Sequence, residues 1–181
     1  MDNYQYVDHV IAFLLLIARI GDIGSTYLVT PRLKLEANPI VRRLGWPFAL
    51  LTILICLAPY WSVPGGIILL VVSLLVSASN SSKIWFIRTM GEEEYYQLVL
   101  NLTARAKLGS SLLFLLLPAF FMGLLGGTVI FLYPDPNYFW GYYFGEGVLV
   151  YAAVIAIYSP LTFLRLRRKN RAREQTRSIE N

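Results

Sequence analysis

The sequence predicts an all-α fold, a polytopic membrane helix bundle of about five transmembrane helices with its N-terminus outside and its C-terminus inside. Three observations carry that expectation: apolar stretches of spanning length, basic residues confined to one set of connections, and aromatic residues gathered at the borders. Of 181 residues, 56% are hydrophobic and only 15% charged, against about 25% charged in globular domains. A bilayer-crossing helix takes roughly 20 mostly apolar residues, and such stretches occur near 7–29, 47–63, 66–87, 109–133 and 143–164.

Lysine and arginine in short loops stay on the cytoplasmic side. Arg32, Lys34, Arg42 and Arg43 fall in the first connection, and Lys83, Arg88, Arg105 and Lys107 fall around the third. The remaining ones outside the spans lie in RLRRKNRAREQTR at the C-terminal end; Arg19 lies inside the first span, and Lys83 in the polar run that ends the third. Segments 30–46 and 88–108 and a basic tail, 165–181, are therefore expected in the cytoplasm. The N-terminus, Pro64-Gly65-Gly66 and the PDPNYFWGY loop, which have no basic residue, are expected outside. Tyr60, Trp61, Tyr138, Phe139, Trp140, Tyr142 and Tyr143 mark the outer border and Trp46 the inner one, as amphipathic rings favour the headgroup zone.

In order along the chain, the first span holds Arg19, Asp22 and Thr26 at helical spacing on one face. In the connector that follows, Asn38-Pro39 suits a helix start, as does Thr30-Pro31. Pro64-Gly65-Gly66 reads as a tight hairpin that makes the second and third spans antiparallel neighbours. The third span ends in a polar run, Ser77 to Lys83. After it, Thr89 and Glu92 have the spacing of a capping box, and Tyr95, Leu98, Val99 and Leu102 share a stripe. That piece is expected either to lie in the membrane interface or to extend the fourth span. In the fourth span Pro118 predicts a kink, and Gly123, Gly126 and Gly127 predict a close helix contact. The lone cysteine, Cys56, excludes a disulfide framework and paired-thiolate metal sites. The acidic start, MDNYQYVDHV, predicts no removable signal peptide.

Polar chemistry concentrates between Arg19 and Trp46. An ionisable residue in a span usually faces the bundle interior and has a partner, so Asp22 is expected either in a structural pair with Arg19 or in a functional site. The functional expectation joins Asp22 to Glu36 and Asn38. Hard divalent cations take oxygen ligands, and magnesium is commonly held by one or two carboxylates together with waters and phosphates. Asp22 and Glu36 are thus the candidate catalytic acids, and Asp22, Glu36 and Asn38 the candidate ligands of a divalent cation such as magnesium. Arg42, Arg43, Ser25 and Thr26 are the candidate substrate contacts, with the arginines on an anion. Structural alternatives stand beside this: Asn38 as a helix cap and Glu36 as a solvated partner of Arg32. His9 and Glu146 fall at the outer border and cannot join Asp22. The basic tail needs only anionic lipid headgroups to explain it, at about 1 kcal/mol per charge near the surface. It has no interleaved aromatics, so no nucleic acid is expected.

At GDIGSTYLVT and LEANPIVRRLGW the chain resembles small prokaryotic multipass membrane proteins of unknown function with an Asp-x-x-[Ser/Thr]-Thr stretch followed by Glu-x-Asn-Pro. The matching positions are Asp22, Ser25, Thr26, Glu36, Asn38 and Pro39. The resemblance implies that these positions act together and transfers no reaction. The functional expectation is a prokaryotic plasma-membrane protein, embedded in the lipid bilayer. Its cytoplasm-facing polar site recognises, or performs cation-dependent chemistry on, a phosphate-bearing lipid or amphiphile. The alternatives are a non-catalytic subunit or scaffold with a membrane-protein partner and, third, a small transporter.

Overall fold

The computed structural model describes residues 6–136 and 139–180, the side chains of 139 and 173–180 excepted. Every regular element among them is helical: α1 (Val7–Val29), α2 (Pro39–Leu44), α3 (Trp46–Leu51) continued by a 3-10 helix (Thr52–Tyr60), α4 (Val63–Met90), α5 (Glu92–Arg105), α6 (Leu108–Leu132) and α7 (Phe139–Glu180). Three of these, α4, α6 and α7 over Trp140–Ala172, are long and apolar enough to cross a membrane. Of the other two expected spans, α1 has 23 residues and carries Asp8, Arg19 and Asp22. The second is the shorter apolar rod Trp46–Tyr60. Tyr138, the Phe139 side chain, Arg173 and Arg177, which figure in the sequence expectation, lie outside the described residues.

The helices pack side by side. α6 lies along α7, α7 against α4, and α4 against α1, with the 3-10 helix touching both α1 and α4. One apolar cluster, Ile11, Ile67, Val71 and Val148, joins α1, α4 and α7 near the chain's N-terminal end of the bundle. A second, Tyr96, Leu100 and Leu166 with Leu35 packed on it, closes the opposite end. α6 is left largely uncovered: Phe114, Phe120 and Phe131 are 68%, 64% and 82% exposed. An apolar face of that extent suits hydrocarbon rather than water.

Several local expectations change. The turn between the 3-10 helix and α4 is Trp61-Ser62, and Pro64-Gly65-Gly66 forms the first turn of α4, where proline's missing N–H costs nothing. Ser62 Oγ caps it, accepting from Gly65 N at 3.2 Å. The antiparallel packing survives, because Gly66 lets Pro59 approach: a Cβ there would stand 2.6 Å from Pro59 Cγ. The second apolar rod tightens at Thr52, whose hydroxyl donates to the Ala49 carbonyl at 2.5 Å, and it continues with 3-10 geometry through Pro59. Of the three α6 glycines expected at a close helix contact, Gly126 makes it, 2.9 Å from its Cβ position to the Gly145 carbonyl; Gly123 and Gly127 face open space.

The 88–108 segment resolves into the end of α4 and a separate helix, α5, divided by Gly91 at φ +83°. This break removes the Thr89–Glu92 capping box: Thr89 donates back to the Trp85 carbonyl at 2.8 Å. The buried stripe of α5 is Tyr96, Leu100 and Thr103, so Leu98 and Leu102 of the expected stripe point outward. Finally, the basic residues after 164 continue α7 without a break.

Candidate functional site at the α1–α2 connector

The connector from Thr30 to Asn38 is held in one shape from both sides. Thr30 ends α1 instead of starting a helix, and its hydroxyl donates to Glu92 Oε1 at 2.6 Å while accepting from Leu35 N at 3.1 Å. Glu92 also accepts from the backbone N–H groups of Arg32 (3.1 Å) and Lys34 (3.4 Å). Leu33, between them, is buried with a left-handed φ of +54°, a conformation uncommon for a bulky residue and tolerated where surroundings impose it. On the other side Arg165 of α7 donates to the carbonyls of Glu36 (3.2 Å) and Lys34 (3.3 Å). Trp46 Nε1 donates to the Pro31 carbonyl at 2.9 Å, and its ring meets Tyr27 edge-on.

Within this frame the sequence-predicted residues fall into two groups. In α1, Asp22 is ion-paired with Arg19, which also donates to Thr52 Oγ1. Both charges are largely covered, with side-chain exposures of 17% for Arg19 and 13% for Asp22, and Arg19 Nε is buried without a hydrogen bond. Ser25 is buried and donates to the Asp22 carbonyl at 3.0 Å. Thr26 accepts from Asn80 Nδ2 of α4 at 2.9 Å. These contacts, with Gly21 close against Ser77, account for part of the polar run at the end of α4 as helix-to-helix bonding.

The second group belongs to the connector. Glu36 Oε1 accepts from the Asn38 backbone N–H at 2.7 Å, and Asn38 Oδ1 accepts from Ile40 N at 2.9 Å, capping α2 with Pro39 in its first turn. Arg42 of α2 reaches the Glu36 carbonyl at 3.4 Å. Arg43 is exposed and lies outside the cleft described below. Asp22 and Glu36 are within electrostatic range of one another, yet among the described residues no hydrogen bond joins them. Burial pushes the Glu36 carboxyl above its ordinary range, against the opposing pull of the Asn38 N–H, Arg42, the Ala37 N–H and Lys83. Among the described residues no three His, Cys, Asp or Glu side chains gather at metal-ligand spacing. Of the expected ligand set, the two carboxylates are each engaged already, Asp22 by Arg19 and Glu36 by the Asn38 N–H.

Beside Glu36 opens a cleft of about 350 Å³ lined by Lys34, Arg42, Glu93, Tyr96, Arg165 and Lys169. Lys34 is ion-paired with Glu93, and the Lys169 ammonium stands 5.2 Å over the Tyr96 ring. Sequence reasoning missed Glu92, Arg165, Lys169 and Tyr96. Their available signal was weak: Arg165 and Lys169 are four apart and so share a helix face, but a basic tail reads equally well as headgroup attraction. At the far end of α1, His9 Nδ1 lies 2.9 Å from Tyr60 Oη, away from this site as expected. No known protein family, curated protein or solved structure matches the chain.

Proposed function

We propose that the chain spans the membrane five times, N-terminus out, and that its inner rim recognises a phosphate-bearing amphiphile. A divalent cation bridges the phosphate to Asp22 and Glu36, with Asn38 positioning Glu36. The observation that carries this reading is the charge gathered around one residue: the Glu36 carboxyl lies within electrostatic range of Asp22 and of Arg42, while its backbone carbonyl accepts from Arg42 and Arg165. Carboxylates for a cation and guanidinium groups for a phosphate thus stand side by side, a combination suited to metal-bridged phosphate binding.

The five-span topology is supported by lengths. At roughly 1.5 Å per residue in an α-helix and 2.0 Å in a 3-10 helix, Trp46–Tyr60 extends about 27 Å, whereas 15 purely α-helical residues reach about 22 Å. The 3-10 stretch therefore brings a short rod close to a hydrocarbon thickness of about 30 Å. The Arg19–Asp22 pair lets α1 keep two charges within a span, since each satisfies the other.

A second reading, a non-catalytic membrane subunit, is favoured by one observation: Asp22 and Asn38 both have structural work, the first pairing Arg19 and the second capping α2. Manganese binding by the full chain in lipid nanodiscs, measured for the wild type, Asp22→Asn and Glu36→Gln, separates the two. Binding lost in both variants at unchanged helicity supports the cation-bridged site. Unchanged binding in either variant, or no binding by the wild type, leaves the subunit reading.

A further inference from the structure

The cleft beside Glu36 has a charge imbalance that the recognition of a generic phosphate does not require. Four of its lining side chains are cations and one is a carboxylate, Glu93, already ion-paired with Lys34. Among the described residues no carboxylate pairs with Arg42, Arg165 or Lys169; their partners are backbone carbonyls and the Tyr96 ring. Neutral acceptors orient these groups, and the Glu36 carboxylate offsets part of their charge through Arg42.

The three are also held in place from different elements. Arg165 is fixed by two carbonyls of the connector, Lys169 is one turn farther along α7 over Tyr96 of α5, and Arg42 enters from α2. Residues of α2, α5 and α7 line the same cleft, so the cations border one shared volume, with Arg42 and Lys169 exposed and Arg165 half-buried. Preorganised donors of this kind favour planar or tetrahedral oxyanions through charge-assisted hydrogen bonds. Set against Glu93 and the neighbouring Glu36 carboxylate, the four cations leave an excess of about two positive charges, more than a phosphodiester, with one negative charge, can neutralise. It matches a terminal phosphomonoester or a diphosphate.

We propose that this cleft selects a multiply charged phosphate, a phosphomonoester or diphosphate, over the singly charged phosphodiester of ordinary bilayer lipids. The inference rests on the phosphate reading above and narrows its ligand class. Such a group arrives either on a lipid or on a soluble molecule. The exposed Leu98 and Leu102 of α5 place apolar side chains on the helix that also supplies Tyr96 and Glu93, which suits a lipid-borne source.

The test uses the full chain in phosphatidylcholine nanodiscs containing equal fractions of either phosphatidic acid or phosphatidylglycerol, with inorganic pyrophosphate as the soluble arm. Retention of phosphatidic acid over phosphatidylglycerol by about tenfold or more is expected, weakened at least severalfold by Lys169→Gln and by Arg42→Gln. Arg88→Gln, on the exposed end of α4, serves as the charge-matched control and is expected to bind as the wild type. Pyrophosphate binding with the same sensitivity to Lys169→Gln, without phosphatidic acid selectivity, assigns the site to a soluble source. Equal binding of all three probes, or variants indistinguishable from the wild type, overturns the inference. Manganese binding measured on the same variants keeps the two readings apart, since Asp22 and Glu36 are untouched. Phosphate selectivity absent while manganese still binds sinks this inference alone.

Discussion

Glu36 is the residue on which most of the local physics converges. Its carboxyl is raised above the ordinary value of 4.5 because burial penalises the charge more than the Asn38 N–H, Arg42, the Ala37 N–H and Lys83 repay it. The sign for stability follows from proton linkage: between the ordinary and the raised value the folded chain binds more protons than the unfolded one, so stability falls as pH rises. Glu36 thus contributes stability that is fully present below about pH 4.5 and is lost as pH climbs through its folded value. Unfolding midpoints measured from about pH 4 to 8 are expected to decline for this reason, and Glu36→Gln is expected to flatten that component. A variant whose pH profile parallels the wild type would show that burial does not tax this carboxylate. Asp22 illustrates a residue whose significance was legible early, since an acid in an oily helix demands a partner, and Arg19 three positions before it is that partner. Glu92 was not legible. Three glutamates in a row read as a helix start that favours the dipole, and nothing local reveals that the first of them reaches back some sixty residues to hold the connector.

At the scale of elements, close approach decides where helices meet. Gly66 and Gly126 stand where any side chain would collide with Pro59 or with the Gly145 carbonyl. Gly66→Ala is expected to lower stability by about 1–3 kcal/mol, the usual range for overpacking a well-filled contact. Gly123→Ala, with open space around it, is expected to be neutral or stabilising by a few tenths up to about 1 kcal/mol through the unfolded chain. Denaturation in mixed micelles checks both, and equal effects would mean that the α4–3-10 contact is looser than described. The pattern of small residues was readable, but the choice among Gly123, Gly126 and Gly127 depended on the rotation of α6 about its axis, which α7 sets.

For the whole molecule, the topology proposed from the basic asymmetry has the connector, α5 and the extended end of α7 on one side. At roughly 1.5 Å per residue the 42 residues of α7 reach about 63 Å, twice the hydrocarbon thickness and far more than a single crossing needs. In a Cys56→Ala background, Asp135→Cys is expected to react with a membrane-impermeant maleimide added outside intact cells. Arg32→Cys is expected to react only after the membrane is opened. The reverse pattern would invert the chain, and labelling of both positions from outside would add or remove a span. Three long apolar helices agree with a membrane-spanning arrangement, whose proposed direction is drawn from charge alone.

The sequence by itself determined the class of the protein: an all-helical, membrane-suited chain with its polar chemistry concentrated between Arg19 and Trp46. Hydropathy and helical spacing are local properties, and they act before any tertiary contact forms. Only the tertiary structure decided that Arg165 and Lys169 leave the role of a simple tail, that Arg42 enters the cleft while Arg43 stays outside, and that Glu92 holds the connector. Those pairings join residues far apart in the chain, and they depend on where α5 and α7 dock against the connector, a geometry that no spacing along the sequence encodes.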